Sequence, residues 1–205
     1  KAMTIYHMPI YKKLKDILAA GTLGRVNLIT TNFGSFKEYD MNNRFFNRRL
    51  AGGAMLDIGV YALSLIRWFM KSRPDQLLSQ MKAAPTGVEE QAGLLLMNKE
   101  GQMAAVMLSL HSKQPKRAMI SCENGYIEIM EYPRAWEASI TDAVTGKTEV
   151  IQAGKHSDAL TYELADMEKA IDGDTEGMYL DYTKDVMDMM TSFRQAWGLK
   201  YPEEE

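Results

Sequence analysis

The sequence predicts an α+β fold: a mainly antiparallel, mixed open sheet of about six strands with helices on one face. Three observations carry this. Helical patterning occupies the two ends of the chain and strand patterning the middle, an order that segregates helices onto one side of a sheet. Three of the five connections between the strand-like runs from residue 92 to 152 are short Gly-bearing turns of hairpin length. The composition, 46% hydrophobic and 25% charged with 15 Gly and 6 Pro in 205 residues, supplies a globular core and argues against a disordered or repetitive chain.

Each element has its own signal. Pro9 suits a first helical turn, and Ile10, Leu14, Ile17 and Leu18 follow at helical spacing up to Gly21, predicting a short amphipathic helix. Residues 26–36, rich in Val, Ile, Thr and Phe, predict a strand, and 37–50 a long polar loop. Residues 54–70 predict a second, buried helix, and 76–82 another strand. Segments 92–97 and 103–110 form a hairpin across Asn98-Lys99-Glu100-Gly101. Segments 118–122 and 126–130 form a second one, in which Asn124-Gly125 predicts a type I′ turn. Strands 135–141 and 147–152, joined near Thr145-Gly146, complete the sheet. Two helices close the chain, one with Leu160, Leu164, Met167 and Ile171 on a face and Gly173 as its stop, the other with Tyr182, Val186, Met189, Met190, Phe193 and Trp197. Glu203-Glu204-Glu205 is expected to be a frayed acidic end. No repeat or linker divides the chain, which predicts one domain over residues 1–205.

Along 103–110, Met103, Ala105 and Met107 alternate with Ala104, Val106 and Leu108, so both faces of the strand are apolar. The face without helices is therefore expected to bury itself against a second subunit, giving a homodimer or homotetramer. Net charge is −3 with signs interspersed, which disfavours nucleic acid and anionic membranes. The apolar stretch 54–70 is broken by Asp57 and Arg67 and predicts a core helix, not an anchor. The single Cys122 excludes an internal disulfide and fits a reducing, cytoplasmic compartment. The start lacks both a signal-peptide pattern and an initiator Met, predicting an excised piece of a longer chain.

The chemistry concentrates in residues 50–70. Asp57, Tyr61, Ser64, Trp68 and Lys71 recur at helical spacing and form a polar stripe, which predicts that the helix faces a cavity or a partner. Gly52-Gly53 permits close backbone approach ahead of the helix, and Gly59, in mid-helix, predicts that something packs tightly there. The same residues also suit a plain structural role, Asp57 favouring the helix dipole and Tyr61 filling a core. His7, His111 and His156 lack metal-site spacing, and Cys122 in a strand is a packing residue; no metal site is expected.

The run Gly52-Gly53-Ala54-Met55-Leu56-Asp57-Ile58-Gly59-Val60-Tyr61 resembles the second signature of the Gfo/Idh/MocA oxidoreductase family, whose helix carries an Asp and, four residues later, a His or Tyr. The resemblance extends to Ala2-Met3, Pro9, Gly21-Thr22-Leu23-Gly24 and the tail Gly198-Leu199-Lys200-Tyr201-Pro202-Glu203, and so covers one C-terminal domain nearly whole. It departs at Tyr6, where members usually have Arg. Tyr at position 61 is the variant of the dihydrodiol dehydrogenase and glucose-fructose oxidoreductase branch.

The resemblance implies a substrate-binding and dimerisation domain of an NAD(P)-dependent oxidoreductase acting on a sugar, polyol or dihydrodiol. The N-terminal Rossmann domain is not represented, since the chain has no G-x-G-x-x-G after a strand and no Glu-Lys-Pro motif for the catalytic Lys. These residues alone are then expected to bind neither NAD nor NADP and to be inactive. Tyr61 is the candidate acid/base and Asp57 the group that positions and balances the missing Lys, because a carboxylate one turn from a phenol disfavours its anion unless a cation is near. Arg44 and Tyr179 are candidate substrate contacts. Two alternatives remain open: a ligand-sensing, non-enzymatic member of the same fold, or a structural dimerisation module.

Overall fold

The computed structural model describes residues 3–204. Helix α1 (Pro9–Ala19) has Pro at its first position and ends before Gly21, whose φ of +80° only glycine adopts freely. After α2 (Val60–Phe69), seven strands run without an intervening α-helix until α3 (Ala159–Ile171) and α4 (Leu180–Ala196) close the chain. The helix–strand–helix segregation is as predicted.

The sheet has eight strands, not about six. The strands are β1 (Val26–Gly34), β2 (Gln76–Ala83), β3 (Glu89–Met97), β4 (Met103–Ser109), β5 (Gln114–Cys122), β6 (Gly125–Met130), β7 (Glu137–Asp142) and β8 (Thr148–Gln152), in the order β2-β3-β4-β1-β5-β6-β7-β8. The two early strands join the later six: β1 inserts at the centre, parallel to β4 and antiparallel to β5, and β2 adds at the edge. The other pairings are antiparallel. The β5–β6 hairpin forms as predicted, but not through a type I′ turn, because neither Asn124 nor Gly125 has positive φ. Gly125 is needed for another reason: a Cβ there would collide with the carbonyl oxygen of Thr141 on β7.

Alternation along the strands assigns the faces. Ala104, Val106 and Leu108 are buried beneath the helices, while Met103 and Met107 lie exposed on the bare face beside Leu78 and Leu95. A trough of about 960 Å³ runs over that bare face. On the covered side α2 crosses the sheet with Gly59 against it, where a Cβ would come within 2.9 Å of Leu108 Cδ1. The expected close approach is therefore the sheet itself. Helix α4 packs over α2 through Arg67, whose Nε donates to Asp185 at 2.6 Å. The segment Arg48–Phe69 has the length and hydropathy of a membrane span, yet is 67% buried inside the domain, the behaviour of a core helix.

The polar stripe on α2 divides. Asp57 and Tyr61 remain partly exposed, whereas Ser64 and Trp68 are buried, Trp68 Nε1 donating to the Tyr11 carbonyl at 3.2 Å, and Lys71 lies beyond the helix end. The lower half of the stripe thus meets a partner within the chain. The acidic end is not frayed up to Glu204: Arg194 binds the Glu204 carboxylate through both terminal nitrogens at 2.9–3.0 Å. Ala2 and Glu205 lie outside the described residues.

Candidate functional site

The site is built around the start of the α2 segment. The loop before it folds on itself: Gly52 N–H donates to Asn47 O at 3.0 Å and Gly53 N–H to Phe45 O at 2.9 Å. A Cβ on Gly52 would lie 2.9 Å from backbone atoms of Arg44, Phe45 and Asn47, so the double glycine lets the chain fold back tightly. Tyr201, near the C-terminus, donates its hydroxyl to Gly52 O at 2.7 Å, and Arg48 Nε donates to Lys200 O at 2.8 Å.

The first turn, Met55–Gly59, is π-helical, with Val60 N–H reaching back to Met55 O. Such single turns carry an extra residue, displacing side chains from ordinary helical positions, and recur at functional sites. Asp57 lies in this turn and Tyr61 on the regular helix just after it.

Arg44 and Asp57 come together, Arg44 NH1 donating to Asp57 Oδ1 at 3.1 Å. The guanidinium also covers the Phe45 ring at 4.0 Å, with Lys37 Nζ at 4.1 Å from the same ring. The pair is open to solvent on the Arg side, which limits it to under about 1 kcal/mol. The pair places a cation of this chain on the Asp57 carboxylate, four residues before Tyr61. The Tyr61 ring lies 6.3 Å from that of Phe33 at the end of β1, and Lys116 Nζ is 5.4 Å from the Phe33 ring.

Tyr179 is elsewhere. It joins Tyr6, Trp68 and Tyr182 in an aromatic cluster, 4.7 Å from the Trp68 ring. Trp68 is seven residues along α2 from Tyr61, about 10 Å at 1.5 Å per residue. Tyr6, at the position where the resemblance leads one to expect Arg, is buried in that cluster, and burial pushes its hydroxyl up to about 12. His7 is likewise buried and bound to Asp166 at 2.9 Å. Burial pushes the Cys122 thiol up to about 11, as befits a packing residue.

Sequence reasoning missed Glu89. The β2–β3 register shifts between Lys82 and Ala83, so that Lys82 pairs with Gln91 but Ala83 with Glu89. This bulge buries both Glu89 and Glu90, which plain alternation would place on opposite faces. Glu89 is fully buried; its Oε1 accepts the Met55 N–H at 2.7 Å, and its Oε2 has no partner among the described residues. The only signal in the sequence is a pair of carboxylates opening an otherwise apolar run.

Burial pushes the Glu89 carboxyl up to about 7 from its ordinary 4.5. The folded protein thus holds a proton that the unfolded chain releases near pH 4.5, and the stability tied to it is lost as pH rises from there through about 7. On a scale of 1.36 kcal/mol per pH unit the loss is about 3 kcal/mol. Glu89→Gln should remove this dependence, so urea unfolding at pH 5 and pH 8 should show the variant gaining on wild type by about that amount at the higher pH. An unchanged difference between the two pH values would refute the assignment.

The glycine turn does not fit a dinucleotide. A pyrophosphate needs free N–H groups at a helix start. Here Glu89 takes the Met55 N–H, and its carboxylate oxygens fill the space beside Gly53, 2.5 and 2.6 Å from where a Cβ would stand. A phosphate oxygen would meet the Glu89 oxygens at this position.

The GFO/IDH/MocA C-terminal domain model matches residues 11–128, more than half of the chain. Trans-1,2-dihydrobenzene-1,2-diol dehydrogenase of Xenopus tropicalis is 29% identical over 122 residues, covering 59% of this chain and 36% of that protein. The Sus scrofa protein of the same name is 25% identical over 151 residues, covering 73% and 41%. The chain thus spans well under half the length of these curated relatives. Solved structures that share the fold include an aldose-aldose oxidoreductase and a 3-ketoreductase. Aldose-aldose oxidoreductase from Caulobacter crescentus, complexed with glycerol, has a TM-score of 0.79 at 22% identity over 96% of this chain and 62% of its own. KijD10, a 3-ketoreductase from Actinomadura kijaniata in complex with NADP and TDP-benzene, has a TM-score of 0.75 at 15% identity over 91% and 57%. With its double-glycine turn, its Asp57-bearing helix and its eight-stranded sheet, the chain belongs to the GFO/IDH/MocA family and matches the C-terminal domain of that family.

Proposed function

We propose that the chain is the substrate-binding domain, bearing catalytic residues, of an oxidoreductase that acts on a sugar, polyol or dihydrodiol with NAD or NADP. The names of its relatives and fold neighbours support the reaction class. The nicotinamide nucleotide is then held by a Rossmann domain outside residues 1–205, consistent with a glycine turn that a carboxylate already fills. By itself the chain is inactive and binds neither nucleotide.

The observation that carries this reading is the alignment of Asp57 and Tyr61 on one helix segment with Arg44 on the carboxylate. Oxidising a secondary alcohol requires its hydroxyl proton to leave, and the Tyr61 hydroxyl takes or relays that proton. The Asp57 charge opposes a phenolate one turn away, and the Arg44 guanidinium offsets it. Lys37 and Arg44, on the loop at the mouth of the site, supply donors for substrate hydroxyls. The bare face carrying Leu78, Leu95, Met103 and Met107 is covered by a second copy in a homo-oligomer, and the half-buried single thiol suits a cytoplasmic setting.

Titrating aldoses, polyols and trans-dihydrodiols into the ¹⁵N-labelled chain tests substrate binding without any nucleotide. Amide shifts at Asp57, Tyr61 and residues 37–50 are expected for at least one class. Shifts restricted to the bare sheet face, or none with any class, would overturn the assignment of the site.

A further inference from the structure

We propose that Glu89 is the positioning residue of the Asp57–Tyr61 site: its carboxylate clasps the turn from Gly53 to Met55 and sets how the π-helical turn presents Asp57. The inference rests on the reading of Asp57 and Tyr61 as the site.

The geometry is specific. The β3 bulge aims Glu89 at the start of the α2 segment, where Oε1 takes the Met55 N–H at 2.7 Å, two residues before Asp57. Gly53, at φ +120°, leaves the carboxylate the space a side chain would occupy. Tyr201 holds the same junction, its hydroxyl donating to Gly52 O at 2.7 Å. The double-glycine turn is thereby held at two points.

A structural role alone does not account for a carboxylate here. Glu89 is fully buried and Oε2 has no partner among the described residues, so ionisation costs the fold free energy that Gln or an apolar side chain would not. What the carboxylate adds is charge. A charge-assisted bond to Met55 N–H at a helix N-terminus is shorter and stronger than the neutral one. Protonation of Glu89 weakens that bond, and the turn carrying Asp57 relaxes with it.

The groups facing Glu89 are few. Its own backbone N–H bonds the carboxyl, the start of the α2 segment contributes the Met55 N–H, α4 contributes Arg194, and the C-terminal segment contributes Tyr201. Arg194 is committed to Glu204 through both terminal nitrogens. Burial holds the Glu89 carboxyl at about 7, so its charge changes near neutral pH.

An NMR titration of the ¹³C,¹⁵N-labelled chain between about pH 5 and pH 9 brackets that value. The Glu89 Cδ, the Met55 and Asp57 amides and the Tyr61 ring resonances are expected to share one midpoint close to pH 7. In Glu89→Gln the Asp57 and Tyr61 signals should be flat over the same range. Flat Asp57 signals in wild type, or the same transition surviving in Glu89→Gln, would overturn the proposal, the latter assigning it to a histidine. If Glu89→Gln does not fold, the wild-type midpoints decide: a Glu89 Cδ midpoint that differs from that of Asp57 rejects the coupling. Either failure leaves the Asp57–Tyr61 reading intact. Conversely, normal turnover by a Tyr61→Phe protein would remove that reading and leave the Glu89 coupling measurable.

Discussion

Tyr61→Phe is expected to lower kcat of the complete protein by about 10²–10⁴-fold, the range for losing a general acid or base. In barrier height this is about 3–5 kcal/mol. The fold should lose far less than turnover does. Tyr61 is only partly buried, and the variant keeps the ring that lies 6.3 Å from Phe33. Thermal unfolding should therefore stay close to wild type while turnover collapses, and KM should change much less than kcat. Arg44 gives an internal comparison, since its exposed guanidinium pairs with Asp57 at 3.1 Å and deleting it should leave a carboxylate that opposes a phenolate at Tyr61. Steady-state kinetics on the complete protein with a dihydrodiol and an aldose would measure both. A Tyr61→Phe protein with unchanged kcat would leave only a binding or structural role for the pair.

The legibility of this site follows sequence distance. Asp57 and Tyr61 lie four residues apart on one helical segment, close in sequence even though the π-helical turn shifts their spacing, and Arg44 belongs to the loop leading directly into that segment. Glu89 reaches the site from β3 only because a bulge breaks the alternation that strand reasoning relies on. Tyr201 arrives from the far end of the chain. The sheet shows the same limit. Each hairpin was readable from its turn, but β1 meets β4 and β5 across the whole span of β2 and β3, and no local pattern encodes that pairing. Even where a hairpin was correctly expected, at Asn124-Gly125, the backbone answers to a distant neighbour, because Gly125 is pressed against Thr141 and takes no positive φ. Tyr179, an aromatic ahead of the last helix, packs against Trp68 on α2, a contact between distant segments that no local pattern encodes.

Gly53→Ala is expected to destabilise the domain by about 2–6 kcal/mol, and the origin of the loss is what matters. A φ of +120° is strained for any L side chain, at roughly 1–3 kcal/mol. The new Cβ would also stand 2.5 Å from Glu89 Oε1, the atom that accepts the Met55 N–H. Displacing it strands a buried donor and a buried carboxylate, at about 1–3 kcal/mol. Gly101→Ala separates the two contributions. Gly101 also has positive φ, +76°, but nothing lies within 4 Å of its would-be Cβ, so only backbone strain of about 1–2 kcal/mol applies. Urea unfolding of the two variants should differ by at least the lost clasp. In the pair Gly53→Ala with Glu89→Ala, the clash is gone, and the combined cost should fall below the sum of the single costs. Additive costs, or a Gly53→Ala no worse than Gly101→Ala, would show that the carboxylate merely fills space beside the turn. A less-than-additive result would mean that Gly53 and Glu89 act as one unit at the root of the helix that carries Asp57 and Tyr61.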